Sequence, residues 1–308
     1  MNSIIFPGQG SQIVGMAKEF FDKYNVVKNL FIEADDILGV NLSKIILNGP
    51  KQDLDFTENT QPAIFLVSYS IFRVIKEEFN IDLNKAKYFA GHSLGEYSAL
   101  SCAGYLDFNV TIKLLKARGK AMQDSVPKGE GGMLAVLGSR VEDIEEILNN
   151  NSNSFSAEIA NDNSNGQLVL SGKTKDLELI NDFLKKKKIK SIKLSVSAPF
   201  HCSLMSKATE VMRNQLKKIE FKHSNNIIFS NVTGQEVSDP HSLKNLLIDQ
   251  IENRVRWRES IINMINKGVE HFVEIGPGKV LSGLIKRINK DVKITSINDQ
   301  SDIKNLII

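Results

Sequence analysis

Residues 91–96, Gly-His-Ser-Leu-Gly-Glu, are the segment whose residue types most directly suggest chemistry. Their spacing is that of a G-x-S-x-G nucleophile elbow, in which a tight strand-to-helix turn exposes a serine. An apolar run at residues 88–90 precedes the segment and a helix-compatible run at 97–103 follows it. A helix N-terminus there would stabilise negative charge at the reacting centre. The motif alone leaves two interpretations open: Ser93 is a nucleophile, or it only caps the helix.

A serine nucleophile needs a base, and the chain has five histidines. His201 lies in Pro-Phe-His, residues 199–201, close to a predicted domain junction, and loops at such junctions commonly build clefts. His92 and Glu96 together also suggest metal ligands. The segment is not H-E-x-x-H and no third ligand is evident, so we expect no metal.

Two other glycine-rich segments do not match nucleotide-binding motifs. Residues 6–12, Phe-Pro-Gly-Gln-Gly-Ser-Gln, follow the first predicted strand, but Ile13 replaces the third glycine of a dinucleotide fingerprint. Such a loop either presents backbone N–H groups to an anion or is a plain strand-to-helix turn. Residues 276–279, Gly-Pro-Gly-Lys, fail the P-loop pattern because Val273 and Val280 occupy required positions.

Composition narrows the class of protein. The 308 residues include 39 Lys and Arg against 36 Asp and Glu, a net charge of +3 that is too balanced for a dedicated polyanion binder. Only 8 of the basic residues are Arg, the residue that nucleic-acid recognition favours, so we expect no nucleic-acid partner. Two cysteines, no signal-peptide pattern and no apolar run near the roughly 18 residues of a membrane span predict a cytoplasmic enzyme.

The flanking parts of the chain alternate short apolar runs with helical stretches. Such alternation predicts an α/β fold with a mainly parallel sheet and helices on both faces. One of the helices is predicted at about 61–79, with Thr60 as N-cap and Pro62 in its first turn.

Residues between the breaker cluster at 126–132 and the run ending in Pro199 have their own pattern. Apolar runs predict strands at 133–137, 157–160, 167–170 and 189–196, and helical spacing falls at 141–148 and 175–187. The resulting order, βαββαβ, is that of a ferredoxin-like unit. We therefore predict a small domain at residues 129–196 inserted into a larger α/β domain at 1–128 and 197–308.

Taken together, five segments resemble one known family. Residues 6–12, 91–96, 117–119 (Ala-Arg-Gly), 199–201 and 274–278 (Glu-Ile-Gly-Pro-Gly) occur in the order seen in malonyl-CoA:acyl carrier protein transacylases of bacterial type II fatty acid synthesis. The resemblance runs from the first strand to about residue 298. It implies an α/β-hydrolase-like large domain with an inserted ferredoxin-like domain, in agreement with the pattern above.

The resemblance also implies a role for each site residue. Ser93 would be malonylated by malonyl-CoA, His201 would act as general base and then acid, and Arg118 would bind the malonyl carboxylate. The remaining implied residues are the backbone N–H groups of Gln9 and Leu94 as oxyanion hole, the Gln250 carbonyl orienting the histidine, and, near the site, Asn161, Asn163 and Asn231. Without the family, Arg118 is typical of a solvated helix residue.

The implied partners are malonyl-CoA and holo-acyl carrier protein, with no metal or bound cofactor. One departure is that Arg254 stands where the family usually has proline, which bears on the loop near Gln250. The basic run at 185–188, with Lys190 and Lys193, either attracts an acidic carrier or simply complements a helix dipole. A serine hydrolase or thioesterase, and an inactive carrier-binding scaffold, are the rival functions.

Overall fold

A computed structural model describes residues 1–196, 198–304 and 306. Within these ranges the strands are β1 (Asn2–Phe6), β2 (Tyr88–Gly91), β3 (Gly131–Leu137), β4 (Ala157–Ser164), β5 (Gln167–Lys173), β6 (Lys190–Lys193), β7 (Ile227–Phe229), β8 (Glu236–Val237), β9 (His271–Ile275) and β10 (Lys293–Ile297). They form two separate sheets.

The α-helices between and around the strands are α1 (Lys18–Lys23), α2 (Asn25–Leu38), α3 (Leu42–Asn48), α4 (Lys51–Asp55), α5 (Thr57–Glu77), α6 (Leu94–Cys102), α7 (Phe108–Asp124), α8 (Val141–Asn150), α9 (Thr174–Lys186), α10 (Ser206–Leu216), α11 (Pro240–Asp249), α12 (Trp257–Asn266), α13 (Val280–Ile288) and α14 (Gln300–Ile303). Short 3₁₀ turns lie at Leu83–Lys85 and Ser203–Met205. None of the helices in the described ranges is long and apolar enough to cross a membrane.

The larger sheet has the strand order β10-β9-β1-β2-β7-β8. Its strands are parallel except β8, which pairs antiparallel with β7. The central strands are mostly apolar and almost entirely buried, as expected for a parallel sheet covered on both faces. The predicted α/β class with a mainly parallel sheet is therefore confirmed.

The smaller sheet is antiparallel, with strand order β4-β5-β3-β6. Its strands alternate with α8 and α9 in the predicted βαββαβ order, and a separate apolar cluster lies between this sheet and the two helices. All four strands fall between residues 131 and 193. The exact domain boundaries at 129 and 197 stay a prediction, and Ser197 at the predicted junction lies outside the described residues.

Three local predictions were wrong: the start of α5, the end of β4 and the extent of β6. Helix α5 begins at Thr57 rather than near residue 61, and Thr60 is not its N-cap, because the Thr60 hydroxyl donates to the carbonyls of Leu54 and Phe56. The strand predicted at 157–160 is also longer in the structure, where β4 continues through the polar residues 161–163 to Ser164. Two irregularities in the β4–β5 register, typical of β-bulges, keep these polar residues in the strand and bury them.

Strand β6 is shorter than the predicted 189–196. The Leu194 N–H still donates to the carbonyl of Met133, but the chain then leaves the sheet edge. Leu194 and Val196 instead line a cavity between the two sheets.

Candidate active site

Three loops meet at the carboxyl edge of the larger sheet. Gln9 follows β1, Ser93 follows β2, and Asn231 follows β7, and these three strands are neighbours. Loops at the carboxyl ends of adjacent parallel strands form the usual binding crevice of an open α/β sheet. The fold therefore places three distant parts of the chain around one point.

Ser93 lies on a strained turn between β2 and α6. Its backbone has φ 52°, in the left-handed region that non-glycine residues rarely adopt. The close approach of the turn to itself explains the flanking glycines, because a Cβ on Gly91 would overlap the backbone of Gly95, and one on Gly95 would overlap the carbonyl of Phe6. Strain of this kind is typical of functional positions.

Asn231 holds this turn in place. Its Oδ1 accepts the Ser93 N–H at 2.7 Å, and its Nδ2 donates to the Gly91 carbonyl at 2.7 Å. The side-chain amide thus acts on the backbone on both sides of residue 92. Sequence analysis placed Asn231 only near the site, because a partner 138 residues away leaves no local pattern.

His201 faces the Ser93 hydroxyl. The distance from Ser93 Oγ to His201 Nε2 is 2.8 Å, and His201 Nδ1 lies 2.8 Å from the Gln250 carbonyl. A carbonyl only accepts, so Nδ1 carries the proton and a neutral ring leaves Nε2 free to accept from Ser93. His201 also has a left-handed backbone, with φ 58°.

Burial keeps this imidazole neutral. His201 is 4% exposed, and its burial, followed by the nearby Arg118 charge, lowers its pKa to about 3. This differs from the ordinary pKa near 6.5 that sequence alone suggests. A neutral ring at neutral pH is the state that a general base requires.

Arg118 is not a solvated helix residue, because it is 1% exposed on α7. Its Nη1 donates to Gln61 Oε1 at 2.7 Å, and its Nη2 donates to Ser93 Oγ at 3.2 Å and to Gln250 Oε1 at 2.8 Å. The guanidinium also lies over the Tyr97 ring, 5.5 Å from its centroid. No carboxylate of the described residues forms an ion pair with it.

These side chains line one cavity of about 170 Å³ between the two sheets. Most of the polar groups come from the side of the larger sheet, while the smaller sheet and the segment after it contribute apolar side chains and two asparagines. Its lining includes Gln9, Gln61, His92, Ser93, Leu94, Arg118, His201, Asn161, Asn163, Met133, Val169 and Phe200. The cavity accommodates a small acyl group with one buried cation at its wall.

The candidate oxyanion donors are also positioned at this cavity. Leu94 is the first residue of α6, so its backbone N–H is one of those a helix leaves without an intrahelical partner. The Gln9 Nε2 donates to the Thr57 hydroxyl at 3.4 Å, and Gln9 lines the same cavity. Their role as an oxyanion hole stays a proposal.

The asparagines of β4 differ in what they contact. Asn163 Oδ1 lies 2.8 Å from His92 Nε2, and that ring packs against Trp257. Asn161 pairs through its backbone region with Val255, just before α12, in an isolated parallel β-bridge beside β4. His92 is therefore engaged by an amide and an aromatic ring, and among the described residues no cluster of three or more His, Cys, Asp or Glu side chains suits a metal.

Arg254 does not disturb the Gln250 loop. Its Nη2 donates to Glu145 Oε1 on α8 at 2.5 Å, while the Gln250 carbonyl still accepts from His201. Gln61 and Gln250 are two of the site residues whose side-chain contacts sequence analysis missed. Gln61 lies on α5, next to Pro62. It reaches Arg118 only because α5 packs against α7.

Comparison with known proteins identifies the class of this site. A family model described as an acyl transferase domain matches residues 4–304. The malonyl CoA-acyl carrier protein transacylase of Bacillus subtilis is 39% identical over 305 residues, covering 98% of this chain and 95% of the relative. The chain thus belongs to the acyl transferase family, as a member of the malonyl CoA-acyl carrier protein transacylases.

Solved structures agree with this placement. The acyl-carrier-protein-S-malonyltransferase of Bartonella henselae is 41% identical, with a TM-score of 0.96 over 99% of this chain and 97% of that one. A type II PKS acyl-carrier protein in complex with its malonyl-transacylase matches at 36% identity and a TM-score of 0.94, covering 99% and 98% of the two chains.

Proposed function

We propose that this protein transfers malonyl from malonyl-CoA to the phosphopantetheine thiol of acyl carrier protein, through a malonyl ester on Ser93. The observation that carries the proposal is the 2.8 Å contact between Ser93 Oγ and His201 Nε2 beside a buried, carboxylate-free Arg118. A nucleophile, a base and a cation in one small cavity suit an acyl group that bears its own carboxylate.

The first half of the reaction forms the acyl-serine. His201 Nε2 takes the Ser93 proton as Oγ attacks the thioester carbon, and the Gln9 and Leu94 N–H groups stabilise the oxyanion. When the tetrahedral intermediate collapses, the C–S bond breaks and His201 returns the proton to the departing coenzyme A thiol. The second half reverses these steps, with the carrier thiol as nucleophile.

Arg118 selects the acyl group. An unpaired buried guanidinium is unfavourable, and the free carboxylate of malonyl supplies the partner that acetyl lacks. The planar fork of arginine suits bidentate carboxylate recognition. These steps need no resident metal or cofactor, since serine, imidazole and backbone N–H groups perform both transfers.

The carrier is the second proposed partner. The relatives' names include acyl carrier protein, and one solved neighbour is a complex with its carrier. The exposed lysines at 185–188, with Lys190 and Lys193, lie at the end of α9 and on the edge strand β6. Their role in attracting an acidic carrier stays a prediction. Two buried free cysteines, Cys102 and Cys202, support the proposal that the protein works in the cytoplasm.

Transfer to holo-carrier against transfer to water tests this function. With malonyl-CoA and holo-acyl carrier protein, we expect the carrier to gain malonyl much faster than free malonate appears. Apo-carrier, which lacks the phosphopantetheine thiol, is the matched control and should gain nothing. If malonate forms faster than malonyl-carrier, the protein is a thioesterase rather than a transacylase.

A further inference from the structure

Glu96 is a fully buried carboxyl that the reaction steps above do not use. It lies in the first turn of α6, and its Oε2 accepts from Gln250 Nε2 at 2.7 Å and from the Asn231 N–H at 3.2 Å. Its other oxygen, Oε1, has no hydrogen-bond partner among the described residues. Its burial raises the pKa of Glu96 to about 7. A buried carboxyl with one unpaired oxygen and a raised pKa is unfavourable for stability, and such groups are typical of functional sites.

The Gln250 amide links Glu96 to Arg118. Gln250 Nε2 donates to Glu96, while Gln250 Oε1 accepts from Arg118 Nη2 at 2.8 Å. An ionised carboxylate only accepts and a guanidinium only donates, so a single orientation of the amide satisfies both neighbours. The same Nε2 also donates to the Ser93 carbonyl at 3.0 Å, which ties the amide to the nucleophile turn.

Charge reinforces this geometry. Burial lowers the pKa of Arg118, and Tyr97, followed by the negative charge of Glu96, acts in the opposite direction. Glu96 is thus the carboxylate that supports the guanidinium while the acyl cavity is empty, although it does not touch it.

We propose that Glu96 is a positioning residue for acyl-group selection: by fixing the Gln250 amide, it aims Arg118 at the cavity where the malonyl carboxylate binds. The inference rests on the proposed use of malonyl-CoA, and it adds that selectivity depends on a residue that touches neither substrate nor the reacting atoms. Arg118 would then distinguish malonyl from acetyl well only while Glu96 holds the side-chain nitrogen of Gln250.

Glu96→Ala removes the nearest of the acceptors that hold the Gln250 nitrogen, and leaves the more distant Ser93 carbonyl and Asn231 Oδ1. The Arg118 fork then loses its fixed support, and we expect the rate of Ser93 acylation by malonyl-CoA to fall about 10- to 100-fold. Acetyl has no carboxylate for Arg118 to bind, so acylation by acetyl-CoA should change less, by under about threefold. Glu96→Gln keeps an oxygen that can accept from Gln250, so it should recover most of the malonyl-to-acetyl ratio.

Glu274 offers a matched control. It is also a buried carboxyl whose pKa is raised by burial, but its oxygens accept from the Leu281 and Ser282 N–H groups at the start of α13. Glu274→Gln should lower the melting temperature and leave the malonyl-to-acetyl ratio at the wild-type value.

The experiment measures Ser93 acylation by intact mass, with malonyl-CoA and acetyl-CoA in parallel and without carrier. It therefore tests the role of Glu96 even if transfer to the carrier fails. Failure of that transfer would contradict the proposed function, and not the role of Glu96. If Glu96→Ala does not fold, Glu96→Asp serves, since its carboxyl is one methylene short of Gln250. A selective loss with malonyl-CoA supports the inference, and an equal loss with both thioesters, or a ratio change in Glu274→Gln, overturns it.

Discussion

The two sides of the acyl cavity are built differently. The side of the larger sheet contributes the strained turn at Ser93 and, from α7, the buried Arg118, and the two are joined by a hydrogen bond. The smaller sheet contributes Met133 and Val169, which offer packing without polar atoms, and the amides of β4. The difference indicates that reactivity resides at the carboxyl edge of the larger sheet, while the smaller sheet closes the cavity.

Buried and half-buried ion pairs join these two sides. Asp162 on β4 is fully buried and pairs with Arg258 on α12 at 2.8 Å, and Glu145 on α8 pairs with Arg254. Both pairs connect the smaller-sheet unit to elements of the larger one. If the two sides differ in this way, breaking either ion pair should lower the stability of the protein. Substitutions on the larger-sheet side should instead change the rate or the selectivity of acylation.

Arg118→Ala should have the largest effect on substrate choice. Sites built around a buried polar pair reject an analogue lacking the group by as much as about 10,000-fold, so the malonyl-to-acetyl ratio of kcat/KM should fall sharply or invert. Arg118→Lys should restore it only in part, because lysine lacks the planar fork. Lys120→Ala, an exposed change on the same helix, is the control. An unchanged ratio would remove Arg118 from acyl selection.

His201→Ala should lower the acylation rate by roughly 100- to 10,000-fold, the usual size of general base catalysis. The loss should be similar for malonyl-CoA and acetyl-CoA, because His201 acts on Ser93 and not on the acyl group. His223→Ala, at an exposed position, should leave the single-turnover rate unchanged. A near-native rate in His201→Ala would assign the base role to another residue.

Asp162→Asn should destabilise the protein and largely spare the chemistry. Losing the charge-assisted hydrogen bonds to Arg258, whose side chain is partly exposed, should cost about 1.5–3 kcal/mol in the free energy of unfolding, which denaturant titration measures. Acylation by the folded fraction should stay within about fivefold of wild type. Asp143→Asn breaks an exposed pair with Arg140 that water screens, so it should change the free energy of unfolding far less. Equal stability of the two variants would contradict the comparison.

The pH profile should show the smallest change. Because burial lowers the pKa of His201 to about 3, its ring stays neutral from pH 8 down to pH 5, and acylation should not decline through pH 6.5. Measuring this in Glu96→Gln removes the titration of Glu96, whose pKa is about 7. A roughly tenfold loss between pH 7.5 and 5.5 in that variant would mean that His201 has an ordinary pKa.

The sequence predicted those features that depend on local pattern. The G-x-S-x-G turn, the strand before it and the βαββαβ order follow from residue spacing, and the structure has them in place. The start of α5 was predicted wrongly because Thr60 has the residue type of an N-cap. In the structure Thr60 lies inside the helix, and its hydroxyl donates backward to the Leu54 carbonyl.

The contacts among site residues were beyond such reasoning. Arg118 meets Gln61 across 57 residues and Gln250 across 132, and Glu96 meets Gln250 across 154. Separations of this size are set by the order of strands in the larger sheet, and no spacing rule encodes them. The family resemblance already pointed to Arg118 and Gln250. The role proposed for Glu96 follows only from the packed structure.

The central claim is that Ser93 carries malonyl. After brief incubation with malonyl-CoA and proteolysis, mass spectrometry should find one malonyl group on the peptide that contains Ser93, and holo-acyl carrier protein should remove it faster than water does. Ser93→Ala should take up no label, while Ser98→Ala, on the same helix but outside the cavity lining, should label normally. A label on any other residue, or full labelling of Ser93→Ala, would contradict the account.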